Sequence, residues 1–441
     1  MLLTAARYRP LHGADRGFGA VAHTWSTGFV TGATASASVS PVRELLADPS
    51  YRRFWLAQVL VSGIYGTVRF MFVWLMVTLT DWSAAEGLVG IALGVPALVL
   101  SLPAGAWSDR SDRRVFCLKW MAASTVGLAA LAVLIGADLV TSRLVGAAAF
   151  TIGTLLVMMQ PNINAMVPEL VPRDRLMHAA ALQNAGGQTA NFGGLAVGGL
   201  VIAAIGNSAG FALLAVLMAI AFALMYRVRV PDDPGAASLE SRSGMGAEIL
   251  AGLRYSLGDE PRRSLLLSTL ILGTSFSAMQ IALPRVVEQD FGGGSFAAGV
   301  LLGMFGIGML FSSVFVASRM EMRHGRNVAL FIGVGLGLGQ LLLSLSPSYA
   351  VAAVVMVAWG VNAGLAIASH RTLIQQETEP AMMGRVMGVM TLGFAGGLPF
   401  GALVQSVLAP ALGPVLTMRW VGAATMAITI PLLCRPTIWR R

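Results

Sequence analysis

The chain is punctuated by twelve apolar runs of roughly twenty residues, and that spacing leaves it few ways to fold. A helix needs about 20 residues to cross about 30 Å of hydrocarbon. Runs of this kind lie at 54–80, 87–106, 115–140, 144–165, 180–205 and 209–226. A polar stretch intervenes, and six more follow at 264–283, 296–316, 328–344, 351–369, 384–408 and 415–433. Of the 441 residues, 56% are hydrophobic and 12% charged, and the mean hydropathy is +0.73. A soluble domain carries roughly a quarter charged residues. Halving that leaves too little polar surface to face water, so the bilayer is the solvent this composition fits. The fold class read from this pattern is an all-α polytopic membrane protein, with twelve transmembrane helices in two pseudo-symmetric six-helix bundles. Glycine, 51 residues in all, is concentrated inside the runs, where small residues let helix backbones approach in lipid.

Arginine and lysine are poorly translocated, so their distribution orients the helices. With the N-terminus inside, all but four of the 30 Lys and Arg residues fall on the inner side. Arg143, Arg285 and Arg419 fall outside, and Arg69 lies within the first run. One missed or invented helix would scramble that asymmetry. The chain then divides into a polar extension over 1–50, read as disordered and cytoplasmic, and a six-helix bundle over 51–228. A cytoplasmic central loop over 229–262, a second bundle over 263–434 and a cytoplasmic tail over 435–441 complete it. Residues 1–41 read equally as an extension or as upstream translation of a protein that begins near Val42. They have no apolar core like that of a signal peptide, so no secretory leader is expected.

Several function classes fall away. The net charge of +9 sits in the loops rather than on a nucleic-acid face. The sole lysine, Lys119, has no Walker A context, so the chain is not read as an ATPase. Cys117 and Cys434 lie near inner helix ends and imply neither a disulfide framework nor a metal site. None of the five histidines pairs with another in a catalytic motif. No enzyme activity, cofactor or metal is expected.

The two halves repeat weakly. Gly193-Gly194-Leu195-Ala196-Val197-Gly198-Gly199 in span five is echoed by Gly396-Gly397-Leu398-Pro399-Phe400-Gly401-Ala402 in span eleven. The basic loop after span two, Asp109 to Arg114, is echoed after span eight by Glu321 to Arg326. Two matches at corresponding positions favour a duplicated six-helix unit.

The loop after span two reads Gly105-Ala-Trp-Ser-Asp109-Arg110-Ser-Asp112-Arg113-Arg114. A small residue there lets two helix ends cross closely, and an acid flanked by arginines can form a breakable charge cluster. The loop resembles the signature of the major facilitator superfamily, Gly-x3-Asp-Arg-x-Gly-Arg-Arg. That resemblance implies a cytoplasmic gate built from Gly105, Asp109, Arg110, Arg113 and Arg114, latched when the protein faces outward. Asp112 stands where the family has glycine, so a relaxed turn and one more acid in the network are expected. Val167-Pro168-Glu169-Leu170-Val171-Pro172-Arg173 and Ala179-Ala180-Ala181-Leu182-Gln183-Asn184 resemble the branch that contains enterobactin and macrolide exporters. So do Gly384-Arg385-Val386-Met387-Gly388 and the Ile249–Tyr255 stretch before span seven. Antiporters of the superfamily often carry a Gly-Pro motif in span five; here Gly193-Gly194 takes its place.

The resemblance implies that spans one, four, seven and ten line a central cavity. Span one carries Ser62, Tyr65, Gly66 and Arg69 at helical spacing on one face. Span ten offers Trp359, Asn362, Ala366 and Ser369, span seven Ser268, Ser275, Met279 and Gln280, and span four Thr151, Thr154 and Met158. The candidate substrate cavity is therefore Tyr65, Arg69, Gln280, Trp359 and Asn362. Arg69 reads as an anion-recognising or gating residue, as an arginine held by backbone carbonyls, or as one snorkelling to the interface. Gln280 and Asn362 read as cargo contacts or as helix-to-helix glue.

No acid falls mid-span: Asp81, Glu86, Glu288 and Asp290 lie outside, Asp109 and Glu169 inside. A proton carrier would have to be loop-proximal, with Asp109 the first candidate, and His370 is read as interfacial. The function expected is secondary active transport by alternating access, exporting a small amphipathic compound such as a drug, siderophore or secondary metabolite. Proton antiport is one energy source left open, and an importer on the same fold is the rival. The partners expected are the small-molecule substrate, the lipid bilayer and possible coupling protons, with no nucleic acid. The chain is read as a monomer in a bacterial inner membrane, both termini cytoplasmic.

Overall fold

The first long helix shows how the local sequence starts a span. In the computed structural model, which describes residues 41–108, 112–229, 245–319, 334–379 and 382–433, a short helix α1 (Pro41–Ala47) leads into α2 (Pro49–Leu79). Asp48 caps α2, its Oδ1 accepting from the Ser50 N–H at 2.9 Å, and Pro49 takes the first position, where no amide donor is needed. Residues 41–50 are thus helical where the sequence suggested the end of a disordered extension. Residues 1–40 lie outside the described ones.

The first half continues through α3 (Ala84–Ser108), α4 (Arg113–Gly136), α5 (Ser142–Leu170) and a helical run α6 (Leu176–Tyr226). The 51 residues of α6 are two limbs meeting at Gly206, where φ is +77° and ψ 177°. Glycine alone adopts that conformation without strain. Both ends of the run lie against the start of α2: the Tyr51 hydroxyl donates to Ala179 O at 3.1 Å, and Arg53 donates to Arg227 O at 3.3 Å. The chain therefore reverses at Gly206, between the two spans drawn from the sequence. The first limb stays helical through Gly193-Gly194.

The second half comprises α7 (Met245–Leu257), α8 (Glu260–Asp290), α9 (Ser295–Arg319), α10 (Leu336–Ser344), α11 (Tyr349–Gln376), α12 (Met383–Leu412) and α13 (Pro414–Leu433). Helix α7 falls within the stretch read as a polar loop. Eight helices among the described residues are long and apolar enough to cross a membrane. With the second limb of α6 and the shorter apolar helices α3, α10 and α13, they fit a six-plus-six arrangement. The most buried spans are α2 and α8, at corresponding places in the two halves: Phe54, Val61, Val68 and Met71 in one, Ala278, Met279, Ala282 and Val287 in the other, are fully buried.

The repeat seen in the sequence has a packing reason. A Cβ on Gly194 would collide with the carbonyl of Gly63 in α2, and one on Gly397 with the carbonyl of Leu270 in α8. Each residue lets span five or eleven lie directly on span one or seven of its own half, the close approach that small residues permit in lipid. Between halves, α3 packs on α12 and the first limb of α6 packs on α9, where Gly199 meets Gly299.

Candidate functional site

A cleft of about 940 Å³ opens at the end of the bundle that carries the starts of α2 and α4. Three helices of the first half supply its polar wall. Gln58, Ser62 and Tyr65 lie on one face of α2; Gln160 and Asn164 come from α5; Gln183, Asn184, Gln188 and Asn191 come from the first limb of α6. The second half adds Thr391, Leu392 and Ala395 of α12. The amides partly satisfy one another: Gln183 Nε2 donates to Asn164 Oδ1 at 3.1 Å, and Gln58 Nε2 donates to Gln183 O at 3.4 Å. Gln58 Oε1 and Asn191 Oδ1 have no partner. A wall of neutral amides offers donors and acceptors without the desolvation cost of charge.

Tyr65 also lines a small pocket of about 20 Å³, together with Arg69, Phe70, Ser277, Gln280 and apolar side chains. Arg69 is half-buried, with its guanidinium 5.8 Å from the centroid of the Tyr65 ring. A second small pocket, about 30 Å³, is lined by Phe192, Phe276, Phe305, Phe394 and Trp359. Its rings sit edge-on or tilted, with Phe192–Phe276 centroids at 5.8 Å and Phe305–Trp359 at 5.6 Å. Such contacts add to the burial of each ring.

The far end of the bundle is sealed by charge. Arg285 of α8, 2% exposed, donates through Nε to Glu86 Oε1 at 2.8 Å, and its Nη2 lies 2.5 Å from the same oxygen. Nη2 also donates to Thr80 O at 2.6 Å, and Nη1 reaches Glu288 at 3.4 Å. Glu86 of α3 is fully buried. The pair ties the first half to the second. The sequence placed both residues outside, among the loops; α3 instead begins at Ala84 and turns Glu86 inward, onto Arg285.

At the open end, Arg113 pairs with Glu169 at 2.5 Å and donates to Ala165 O, which joins the two sequence motifs across α4 and α5. Arg114 donates to the carbonyls of Met225 and Tyr226 at the end of α6, with its guanidinium over the Tyr226 ring. Asp112 is the N-cap of α4, accepting from the Val115 N–H at 3.0 Å. Gly105 falls in the last turn of α3, and Asp109 and Arg110 lie outside the described residues.

Of the cavity residues read from the sequence, Tyr65, Arg69 and Gln280 meet in one pocket, and Trp359 lines the aromatic one. Asn362 packs against Gly335, one turn from Gly339 where the Trp359 ring packs, and the α11 residues that line the aromatic pocket are Trp359, Ala363 and Ile367. Thr151 and Thr154 bond their own helix at Ala147 O and Phe150 O, Met158 is core, and α5 turns Gln160 and Asn164 to the cleft. Ser275 donates to Gln340 Oε1 at 2.7 Å. His370 is buried rather than interfacial, with Thr269 Oγ1 at 2.7 Å and Ser268 Oγ at 3.4 Å. Sequence reasoning missed the amides of span five as a cavity wall; their spacing at 183, 184, 188 and 191 on one helix face was the available signal.

Two helical bundles that enclose a cleft at one end and are tied by a buried ion pair at the other define a polytopic transporter of the major facilitator fold. Residues 36–438 match the family described as transmembrane secretion effector, and the chain belongs to that family of major facilitator transporters. It is 22% identical over 360 residues to the staphyloferrin A transporter of Staphylococcus aureus, covering 81% of this chain and 89% of that one. It is 25% identical over 285 residues to the uncharacterized MFS-type transporter y4rN of Sinorhizobium fredii, covering 60% of this chain and 66% of that protein. Among solved structures, the nucleoside transporter NupG superposes with a TM-score of 0.64 at 15% identity, covering 87% of this chain and 96% of that one. A bacterial homologue of the human lysosomal transporter Spinster, inward-facing and occupied, gives 0.64 at 13% identity, over 88% and 95%.

Proposed function

We propose that this protein is a secondary active exporter of small amphipathic compounds working by alternating access. The observation that carries the reading is the asymmetry between the two ends: an amide-lined cleft at the arginine-rich end, and the buried Glu86–Arg285 pair at the other. With the arginine-rich end in the cytoplasm, as the charge distribution argues, the conformation is open inward. Export requires that the ion pair part and the cleft end close around the Asp109–Arg114 loop. The secretion-effector family and the staphyloferrin A relative support outward movement of a small molecule. The site residues proposed to touch cargo are Tyr65, Arg69, Gln280 and Trp359. The gate residues proposed are Gly105, Asp109, Arg110, Arg113 and Arg114.

For the energy source we propose proton antiport, with Glu86 and His370 the buried carboxyl and the buried imidazole to test first. A monomer in a bacterial inner membrane, termini inside, completes the proposal. Inverted membrane vesicles energised with a proton gradient should accumulate labelled amphipathic compounds, and an uncoupler should abolish the accumulation. Accumulation that survives the uncoupler sinks proton antiport; uptake confined to right-side-out vesicles sinks export.

A further inference from the structure

Two arginines lie within the helical bundle, and they differ in what neutralises them. Arg285 is saturated: a carboxylate on two of its nitrogens, a backbone carbonyl, and a second acid. Arg69 is not. Its contact among the described residues is the face of Tyr65, and no acid or carbonyl among them lies within bonding reach. A guanidinium carries five N–H donors and keeps its charge, and at this half-buried position the described residues offer it no acceptor. Nor is snorkelling an exit, because Arg69 sits ten residues before the end of α2, about 15 Å along the axis.

Gln280 gives an independent observation from the opposite half. It lines the same pocket, is 7% exposed, and its side-chain Nε2 has no hydrogen-bond partner. Two donors from different bundles thus converge where the described residues supply no acid. A pocket of about 20 Å³ holds about one or two water-sized groups. That suits the head of a molecule whose body lies in the wider cleft. The body would meet neutral amides, among whose buried atoms the acceptors Gln58 Oε1 and Asn191 Oδ1 lack a partner.

We propose that the Arg69–Gln280 pocket binds the carboxylate of an amphipathic cargo, with Arg69 as the ion partner and Gln280 as a donor from the second half. This rests on the transporter reading above and names its substrate class. A planar two-oxygen anion matches the fork of one guanidinium, and a single cation balances a single charge. Because the two ligands belong to different bundles, the bound carboxylate bridges the surfaces that must move relative to each other.

The test uses the full chain in nanodiscs with three matched probes: naphthaleneacetate, its primary amide, and naphthylethylammonium, measured by equilibrium dialysis at neutral pH. The carboxylate should bind at least tenfold tighter than either of the others. In Arg69→Gln the preference should fall below threefold. Gln280→Glu, which places an acid beside Arg69, should remove the preference with the arginine still present, so one poorly folding variant does not decide the matter. A carboxylate that binds no tighter than its amide, or not at all, in the wild type overturns the assignment. So does a preference that survives both substitutions. If the preference fails while the far end still opens on removal of the Glu86 charge, the carboxylate pocket falls and alternating access stands.

Discussion

Replacing Glu86 by glutamine should open the far end of the bundle. In the conformation seen, Arg285 and Glu86 are 2% and 0% exposed, so solvent screens neither. Removing one partner of a buried, hydrogen-bonded pair costs about 3–5 kcal/mol, because the other charge stays buried. Glu288, at 3.4 Å and 40% exposed, keeps a hold on Nη1 and places the loss toward the lower figure. Once the seam parts, Arg285 reaches water, so the penalty falls on the sealed state alone. At about 1.4 kcal/mol per tenfold, the equilibrium moves roughly a hundredfold or more toward the outward-open form. The reporter is Ser277→Cys, a residue of the deep pocket that is 2% exposed, in a background with Cys117 and Cys434 replaced. An impermeant maleimide added to right-side-out vesicles should leave it unlabelled in the parent and label it in Glu86→Gln. The charge swap, Glu86→Arg with Arg285→Glu, should restore protection. Protection that persists in a folded Glu86→Gln protein would refute the seam.

The seal itself can be made permanent: Glu86→Leu with Arg285→Met removes both charges of the pair together. It should match or exceed wild-type thermal stability while transport in vesicles stops. Gly206→Ala should cost about 1–3 kcal/mol in thermal unfolding from backbone strain alone, since no atom lies within 4 Å of the added Cβ. Gly194→Val should fail to give a monodisperse protein on size exclusion, because its side chain meets the backbone of Gly63. Arg113→Gln should lower thermal stability by no more than about 1 kcal/mol, its ion pair with Glu169 being partly solvated.

Much of the architecture was legible because a bilayer imposes strict rules. A helix must be long and apolar to cross it, and arginine must stay on one side, so the span boundaries and the reversal near Gly206 follow from patterns along the chain. The echo of Gly193–Gly199 in Gly396–Ala402 was likewise readable, since each half needs small residues where span five or eleven lies on span one or seven. The stripe of Ser62, Tyr65 and Arg69 was readable too, because polar residues at helical spacing in an apolar span face something other than lipid.

Which stripes face the cleft was not readable in the same way. Thr151 and Thr154 satisfy their hydroxyls on their own helix, a bond open to any threonine in any span, and Gln160 and Asn164 take the cleft face instead. Asn362 and Trp359, three residues apart, both pack against α10, at Gly335 and Gly339, yet of the two it is the larger Trp359 ring that also lines the aromatic pocket. Spacing gives the shared face of a helix but not the rotation of that helix in the bundle, which packing decides.

The sequence by itself determined the solvent, the spans, the duplicated plan and the family, because each rests on composition or on order along the chain. Tertiary structure decided the two facts on which mechanism turns. Glu86 and Arg285 are 199 residues apart and both looked like loop-side charges; the approach of α3 to α8 makes them a buried seal. Arg69 was visible as a charge in lipid, but whether the protein neutralises it could not be told until its neighbours were in place. Pair partners across a bundle are set by how the helices pack, and no local pattern records that.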